Sequence, residues 1–222
     1  VGAALNSPLE SPGDNTGDNI SAKNKNFCEL TAVYWAWKNL DADYIGLAHY
    51  RRHFRGKRSK IIGGAELEKL LSRYPVIMPC KRNYFIETNY SQYVHAHHVE
   101  DLETVEKVLT EKYPQYMPDY HRVMESTKGY RFNMCIMRKD LFDDYCSWLF
   151  DILFEVEKRL DISGYSPYDA RVFGFLSERL LDIYIEHNKP ELTTLPVLHL
   201  ESQRWCSKIF NFLRRKFFPG KA

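Results

Sequence analysis

A basic tetrapeptide, His49, Tyr50, Arg51 and Arg52 (residues 49–52), stands where the apolar run YIGLAHY stops. Arginines hold phosphate groups through paired hydrogen bonds, and a protonated histidine adds another donor. In open α/β sheets, ligands bind at the carboxyl ends of strands. We therefore expect an anionic group such as a diphosphate to bind here. The alternative is a solvated basic turn, because the charge continues in Arg55, Lys57, Arg58 and Lys60.

A second candidate is the first loop, residues 13–24, which reads GDNTGDNISAKN. It brings backbone donors, amides and a cation into one short segment, as a cradle for a polar ligand requires. The alternative is a surface loop whose Asn and Asp residues only stabilise turns. The side chains that could contact a ligand are Asp18, Asn19, Ser21, Lys23 and Asn24.

The histidine segment, residues 95–101, holds three histidines and two acidic residues and at first suggests a metal site. On a helix, however, His97 and Asp101 share one face while His95 and His98 share another, and no HExxH motif is present. We expect either acid/base or hydroxyl contacts from these side chains or a solvated start of a helix.

Two further positions combine polar chemistry with an alternative structural role. Asn133, followed by Met134, is a polar residue in an apolar run, so its amide needs a partner, which is either a sugar hydroxyl or the neighbouring backbone. Asp169 is either a helix cap or a catalytic carboxylate. Gly174 lies inside a predicted helix at a cost of about 1 kcal/mol, which indicates that another group approaches closely.

Hydrophobic periodicity predicts helices that alternate with short strands. We expect helices over residues 28–40, 66–72, 94–112, 140–161 and 167–187, and strands over residues 44–50, 76–80, 132–138 and 192–200. This alternation predicts an α/β sandwich with a mostly parallel central sheet flanked by helices. The apolar stretch at residues 1–5 begins abruptly, so we also expect a strand upstream of Val1.

Bulk properties exclude several classes of protein. The 222 residues, 44% of them hydrophobic, suffice for one substantial core, and the net charge of +2 gives no field of the kind that binds nucleic acid. Five cysteines without a CxxC pair favour a reducing cytoplasm over a zinc site or a disulfide framework. The first residues do not show the charged and apolar regions of a signal peptide, and no apolar run approaches roughly 20 residues. The chain also lacks GxSxG, P-loop and GxGxxG motifs.

The last segment, residues 201–222, differs in composition because basic residues alternate with aromatic and aliphatic ones. This pattern predicts a basic amphipathic helix at a membrane surface. The alternatives are a helix that docks on the core and, less favoured, an arm that binds nucleic acid.

An ordered series of motifs resembles one known family. The segments are GDNISAKNKNFCELTAVYWAWKN, YIGLAHYRRHF, VIMPCKRNY, YVHAHHVEDL, FNMCIMRKDLFDDYCSWLFDILFEVEKR and RVFGFLSERL. Together they resemble the family catalogued as domain of unknown function 4422, whose members occur among capsular and exopolysaccharide biosynthesis proteins and are described as glycosyltransferases related to the GT-A fold. The resemblance covers residues 1–200, so we expect one glycosyltransferase-like domain there and a separate tail over residues 201–222.

The resemblance implies a bacterial glycosyltransferase with a GT-A-like fold. It would move a sugar from a nucleotide sugar, most of all a UDP-sugar, to a glycan or polyprenyl-linked acceptor in capsule, exopolysaccharide or O-antigen synthesis. The expected place is the cytoplasmic face of the plasma membrane, with the tail on the membrane surface and no nucleic-acid partner. The competing hypotheses are a noncatalytic glycan- or nucleotide-binding module and a metal-dependent phosphoesterase that uses the histidine segment.

Related glycosyltransferases hold the donor diphosphate with a metal bound to an Asp-x-Asp motif, and by this resemblance the basic tetrapeptide takes its place. We therefore expect no metal ligand and no cofactor, with manganese at Asp14 or Asp18 as the alternative. The implied donor-binding residues are the basic tetrapeptide and the five side chains of the first loop. The implied catalytic candidates are Asp101, slightly preferred, His97 and Asp169, and the implied acceptor-binding residues are His98, Asn133 and Met134.

Overall fold

The structure is a computed structural model that describes residues 1–6 and 13–200. The amphipathic helix predicted at residues 201–222 lies outside the described residues. In the described part, short strands alternate with helices, which confirms the expected α/β class. No helix in that part is long and apolar enough to cross a lipid bilayer.

The elements are as follows. The strands are β1 (Tyr44–Leu47), β2 (Arg52–Phe54), β3 (Val76–Pro79), β4 (Arg82–Asn83), β5 (Lys128–Gly129), β6 (Cys135–Arg138), β7 (Leu192–Leu195) and β8 (Val197–His199). The α-helices are α1 (Asn24–Phe27), α2 (Leu30–Asn39), α3 (Gly64–Leu71), α4 (Asn89–Val94), α5 (Val99–Lys112), α6 (Met117–Glu125), α7 (Lys139–Arg159) and α8 (Val172–Asn188). Short 3-10 helices occur at Ala3–Leu5, Ser21–Lys23, Lys57–Ser59, Pro114–Tyr116 and Asp169–Arg171.

The central sheet has the strand order β1-β6-β3-β7. Strands β1, β3 and β7 share one direction, while β6 lies between β1 and β3 and runs antiparallel to both. The expectation of a mostly parallel sheet is therefore corrected for the described strands, in which only the β3–β7 pair is parallel. Hydrophobic periodicity could not predict this, because an apolar run has the same pattern in either direction.

Helices cover both faces of this sheet, as a sandwich requires. Successive residues of β3 alternate between the two faces: Val76 and Met78 belong to the large core, and Ile77 belongs to a smaller cluster with Phe54 and Met134. Helix α7 packs against α2, α5 and α8 and covers β1 and β6. Burial of each large apolar side chain contributes about 1.5–3 kcal/mol to folding.

The strand predicted at residues 192–200 is divided at Pro196. Strand β7 pairs with β3 in the central sheet, whereas β8 pairs with β2 in a separate two-stranded sheet. In that small sheet Arg52 lies opposite His199, and the backbone N–H of Leu200 donates to the Arg51 carbonyl at 3.1 Å. The basic tetrapeptide is thus held in place by a segment about 150 residues later in the chain.

The helix predicted at residues 94–112 is also divided. Helix α4 ends at Val94 and α5 begins at Val99, so the histidines lie in the turn between two helices. The expected pairing of His97 with Asp101 on one helical face is therefore wrong. A capping box between Thr88 and Ser91 begins α4, and His98 has extended backbone angles that begin α5.

Candidate functional site

The candidate site is a cavity of about 580 Å³ at one edge of the central sheet. Strand β1 ends at this edge, β4 follows the end of β3, and β6 begins here with the residues just before it. Helix α8 and the end of α4 form the remaining walls. Because β6 runs opposite to its neighbours, its preceding residues meet the segments that follow β1 and β3.

Positive charge dominates the lining of the cavity. Six arginines line it, against three glutamates, so an anionic ligand is favoured. The arginines are Arg51, Arg52, Arg82, Arg131, Arg171 and Arg179, and the glutamates are Glu29, Glu87 and Glu178.

The whole basic tetrapeptide lines this cavity. Two backbone hydrogen bonds of 3.0 Å join His49 and Arg52 and close the turn. The His49 ring bonds through Nε2 to the Phe132 carbonyl, which can only accept, so Nε2 carries a hydrogen. The Arg52 guanidinium lies 4.2 Å above the Phe132 ring and that of Arg51 lies 4.7 Å above the Tyr50 ring. Flat aromatic faces thus orient both guanidinium groups.

Phe132 occupies an unusual backbone conformation at the edge of the cavity. Its φ is 73° and that of Asn133 is 53°, in the left-handed region that favours glycine. Cys28, which also lines the cavity, has φ 52°. Strained backbone of this kind persists where the surrounding contacts fix it, and it clusters at functional sites.

A second group of arginines comes from distant parts of the chain: Arg82 from β4, Arg131 from the segment before β6, and Arg179 from α8. Burial lowers the pKa of the Arg82 guanidinium from its ordinary value, and the charge of Arg131 lowers it further. The Nε atoms of Arg131 and Arg179 are buried without a hydrogen-bond acceptor in the described structure. Glu178 lies 3.8 Å from Arg131 Nε, and a bound anion would add further negative charge beside these guanidinium groups.

Asn133 and Met134, which we expected to bind the acceptor substrate, are packed inside the protein. The Asn133 amide donates to Glu29 Oε1 at 2.8 Å and to the Gly174 carbonyl at 3.1 Å, and the Ser177 hydroxyl donates to Asn133 Oδ1 at 2.8 Å. Asn133 thus joins β6 to α8 and does not line the cavity. The close approach expected at Gly174 is made by Cys28, whose Cβ would lie 3.3 Å from an added Cβ.

The first loop also lies outside the cavity. Its buried Asp14 accepts hydrogen bonds from the Thr31 hydroxyl at 2.6 Å, the Ser21 hydroxyl at 2.9 Å, and the backbone N–H groups of Gly2 and Ala3. Burial raises the pKa of Asp14, but these hydrogen bonds outweigh it and lower the pKa to about 2. Asp14 therefore organises the loop as an ionised carboxylate.

Four other residues of the first loop, which we expected to bind the sugar donor, have structural partners. The Asp18 carboxylate accepts from the Tyr34 hydroxyl, and Asn19 bonds to the Gly17 carbonyl. Lys23 pairs with Glu157 at 2.6 Å, and the Asn24 amide donates to the Cys28 carbonyl. The sequence could not predict that these residues lie outside the cavity, because the composition of the loop suits a ligand site and a turn equally well.

Asp101, the preferred catalytic candidate, is buried at the start of α5 and does not line the cavity. Its two oxygens accept hydrogen bonds from the Tyr93 hydroxyl at 2.9 Å and the Tyr165 hydroxyl at 2.7 Å. Burial raises the pKa of Asp101, although the two tyrosine hydrogen bonds oppose this. The carboxylate ties the turn to the rest of the fold.

The three histidines of this turn have different surroundings. His97 lines the cavity with only 10% of its side chain exposed, and its ring stacks on Phe175 at 4.1 Å. His98 stacks on Tyr165 at 4.0 Å and, like Asp169, does not line the cavity. Asp169 lies between the two, 3.7 Å from His97 Nδ1 and 3.8 Å from His98 Nε2.

His95 differs from both because it joins an acid–base pair in the cavity. Its Nδ1 lies 2.8 Å from Oε1 of the buried Glu87, and both residues line the cavity. Sequence reasoning missed Glu87, since it lies eight residues away on the other side of α4. It also missed Arg82, Arg131, Arg171 and Arg179, which no local motif connects.

The side-chain atoms that could ligate a metal at the cavity do not fit a divalent ion. Arginines and a histidine bonded to a carbonyl occupy the position where the resemblance would place an Asp-x-Asp motif. Within residues 1–6 and 13–200, no three His, Cys, Asp or Glu side chains lie close enough to hold a metal ion.

Comparisons with known proteins give a family and a solved structure with a similar fold. The family model described as "Domain of unknown function (DUF4422)" matches residues 1–189. A solved structure of the bifunctional glycosyltransferase WbbM, in its apo form, is 31% identical in sequence and superimposes with a TM-score of 0.79. The match covers 86% of this chain and 39% of that one. No curated protein matches the chain.

Proposed function

The chain belongs to the DUF4422 family, and from this premise we propose that it is a glycosyltransferase that takes a sugar from a nucleotide sugar. The solved structure to which it is similar is that of a bifunctional glycosyltransferase more than twice as long. The activity, substrates and partners proposed for this chain therefore rest on its own cavity as well.

The observation that carries the proposal is the excess of arginine at the edge of the central sheet. When the bond between the sugar and the diphosphate breaks, negative charge grows on the diphosphate oxygens. Fixed guanidinium groups in a partly closed cavity stabilise that charge in the transition state more than they stabilise the intact donor. Six arginines line the cavity against three glutamates, which matches such a leaving group.

Within the cavity we assign the diphosphate to Arg51, Arg52, Arg82 and Arg131. The first two come from the basic tetrapeptide, whose guanidinium groups are held in place by aromatic rings. The guanidinium groups of the other two lie near enough for the charge of Arg131 to lower the pKa of Arg82, and a bound anion would offset this repulsion. Tyr50, 77% exposed at the mouth of the cavity, offers its ring to the nucleobase, for which we favour uracil.

The acceptor in this proposal is a glycan or a polyprenyl-linked glycan of a capsule, exopolysaccharide or O-antigen. Its growing end would meet the donor in the part of the cavity formed by the end of α4 and by α8. We further propose that the protein works at the inner face of the plasma membrane, where such acceptors are made. The tail at residues 201–222, with its mixture of basic and aromatic residues, would provide the membrane contact.

The phosphoesterase hypothesis has less support, because no three His, Cys, Asp or Glu side chains among the described residues, the histidine segment included, lie close enough to hold a metal ion. A noncatalytic module that binds nucleotides would use the same arginines. Turnover separates that module from a transferase.

The test is to incubate the purified protein with a panel of UDP- and GDP-sugars and a membrane extract that contains lipid-linked glycans. We expect release of the nucleoside diphosphate and transfer of labelled sugar from one donor. Arg51→Ala and Arg131→Ala should each reduce turnover by about 100-fold or more, while Arg73→Ala, at an exposed arginine outside the cavity, should not. Nucleotide binding without turnover by the unaltered protein would favour the noncatalytic module.

A further inference from the structure

Glu87 and His95 form a hydrogen-bonded pair across helix α4. Glu87 precedes the capping residue of this helix, and His95 directly follows its last residue, Val94. The helix has six residues and spans about 9 Å, and the two side chains meet alongside it with Nδ1 and Oε1 2.8 Å apart. The His95 backbone N–H donates to the Ser91 carbonyl at 3.1 Å, which fixes the backbone at this end of the pair.

The two partners differ in exposure: the carboxylate that orients the ring is buried, and the ring itself is accessible, as a base that contacts a substrate must be. The Glu87 side chain is only 6% exposed, whereas that of His95 is 42% exposed, and both line the cavity. A buried carboxylate beside Nδ1 favours the tautomer with hydrogen on Nδ1. Nε2 then keeps its lone pair, and it is the nitrogen left to contact a ligand.

The other carboxylates of the cavity are already used as hydrogen-bond acceptors. Glu29 accepts from the Asn133 amide at 2.8 Å. Glu178 accepts from the Phe132 backbone N–H at 3.0 Å and lies 3.8 Å from Arg131. Proton uptake by either group would weaken contacts that hold the cavity together.

His97 also lines the cavity, but its ring is packed among aromatic side chains. It stacks on Phe175, is tilted against Tyr93 at 4.9 Å, and keeps only 10% of its side chain exposed. Its nearest carboxylate, Asp169, lies at 3.7 Å, beyond hydrogen-bond distance. His95 is therefore the more accessible of the two imidazoles.

We propose that His95 is the catalytic base for the acceptor hydroxyl and that Glu87 is its positioning residue, an inference that rests on the proposed function. Nε2 takes the proton of the acceptor hydroxyl as the acceptor oxygen forms a bond to the anomeric carbon. The bond between that carbon and the diphosphate oxygen breaks, and its electron pair leaves with the diphosphate. The arginines hold that leaving group, and Glu87 stabilises the imidazolium that forms. Direct attack inverts the anomeric centre.

The test uses the full chain with the sugar donor found active in the panel. His95→Ala should lower kcat by about 10²–10⁴-fold and leave the dissociation constant of the nucleoside diphosphate within twofold. Added imidazole should restore part of the lost turnover of His95→Ala. Glu87→Gln keeps an oxygen for Nδ1 but removes the charge, so it should lower kcat by less than His95→Ala does. His121→Ala, at an exposed histidine on α6 outside the cavity, is the matched control.

Each outcome of this experiment either supports or overturns a stated part of the proposal. Full turnover by a folded His95→Ala variant overturns the pair as catalytic groups while it leaves the proposed function intact. Retention of the anomeric configuration in the product overturns the same inference. If His95→Ala does not fold, a normal kcat in Glu87→Gln overturns the positioning role and a reduced kcat with unchanged nucleotide binding supports it. No turnover by the unaltered protein with any donor overturns the proposed function first.

Discussion

The amide of Asn133 donates a hydrogen bond of 2.8 Å to the Glu29 carboxylate, which ties the start of β6 to the segment before α2. The same amide reaches the Gly174 carbonyl, so one side chain connects three parts of the chain. Asn133 has φ 53°, a conformation that asparagine tolerates better than most residues. The position favours asparagine for its backbone as well as for its hydrogen bonds.

We expect Asn133→Ala to lower the free energy of unfolding by about 2–4 kcal/mol, because it leaves buried partners without hydrogen bonds. Unfolding in urea, followed by circular dichroism, measures this change. Asn15→Ala, at an exposed position, should stay within about 0.5 kcal/mol of the unaltered protein. Equal stability of the two variants would contradict the role assigned to Asn133.

Asp101 is expected to matter for stability more than for turnover. Asp101→Ala removes the acceptor for both tyrosine hydroxyls and should lower the free energy of unfolding by about 2–4 kcal/mol. The fraction that stays folded should bind a nucleoside diphosphate with an unchanged dissociation constant, because the carboxylate does not line the cavity. A normal melting temperature combined with lost turnover would instead make Asp101 a candidate base again.

Buried Asp182 predicts a pH dependence of stability. Burial raises its pKa from 3.8 to about 6, although the Tyr130 N–H and the charges of Lys81 and Arg179 partly oppose this. Between about pH 4 and pH 6 the folded protein keeps a proton that the unfolded chain has lost, so this group makes the free energy of unfolding fall as pH rises. The change it contributes is on the order of 3 kcal/mol.

Asp182→Asn should therefore flatten this part of the stability profile. Urea unfolding of both proteins at about pH 4 and about pH 7 gives the comparison, since the other titrating groups are shared. Asp41→Asn, at an exposed position, should keep the slope of the unaltered protein. A profile that is as steep in Asp182→Asn as in the unaltered protein would show that the slope comes from another group.

Metal removal tests the role given to the arginines. We expect transfer to continue at its full rate in excess chelator, because we propose that guanidinium groups of the basic tetrapeptide, which lines the cavity, take the place of a metal motif. Loss of turnover that manganese restores would contradict this prediction. Arg52→Lys refines the test, since lysine keeps the charge but loses the paired hydrogen bonds and should lower turnover about tenfold or more.

Sequence reasoning placed the basic tetrapeptide at the end of β1 because an apolar run that stops at charged residues is a local signal. It could not bring Arg82 and Arg131 together, since these residues are far apart in the chain and meet because β4 pairs antiparallel with β5, which places Arg82 opposite Gly129. The Glu87–His95 pair was missed for a similar reason: the break between α4 and α5 decides where the histidines lie. Local periodicity carries no information about such breaks.

The division of the last strand at Pro196 affects how this fold can be shortened. The family model stops at residue 189, yet β7 follows at Leu192–Leu195 and β8 at Val197–His199. A protein cut at residue 189 would lose both strands at once and would expose the open edges of β3 and β2 to solvent. Open strand edges pair with those of other molecules, so the shortened protein should aggregate while a protein that continues to residue 200 stays monodisperse.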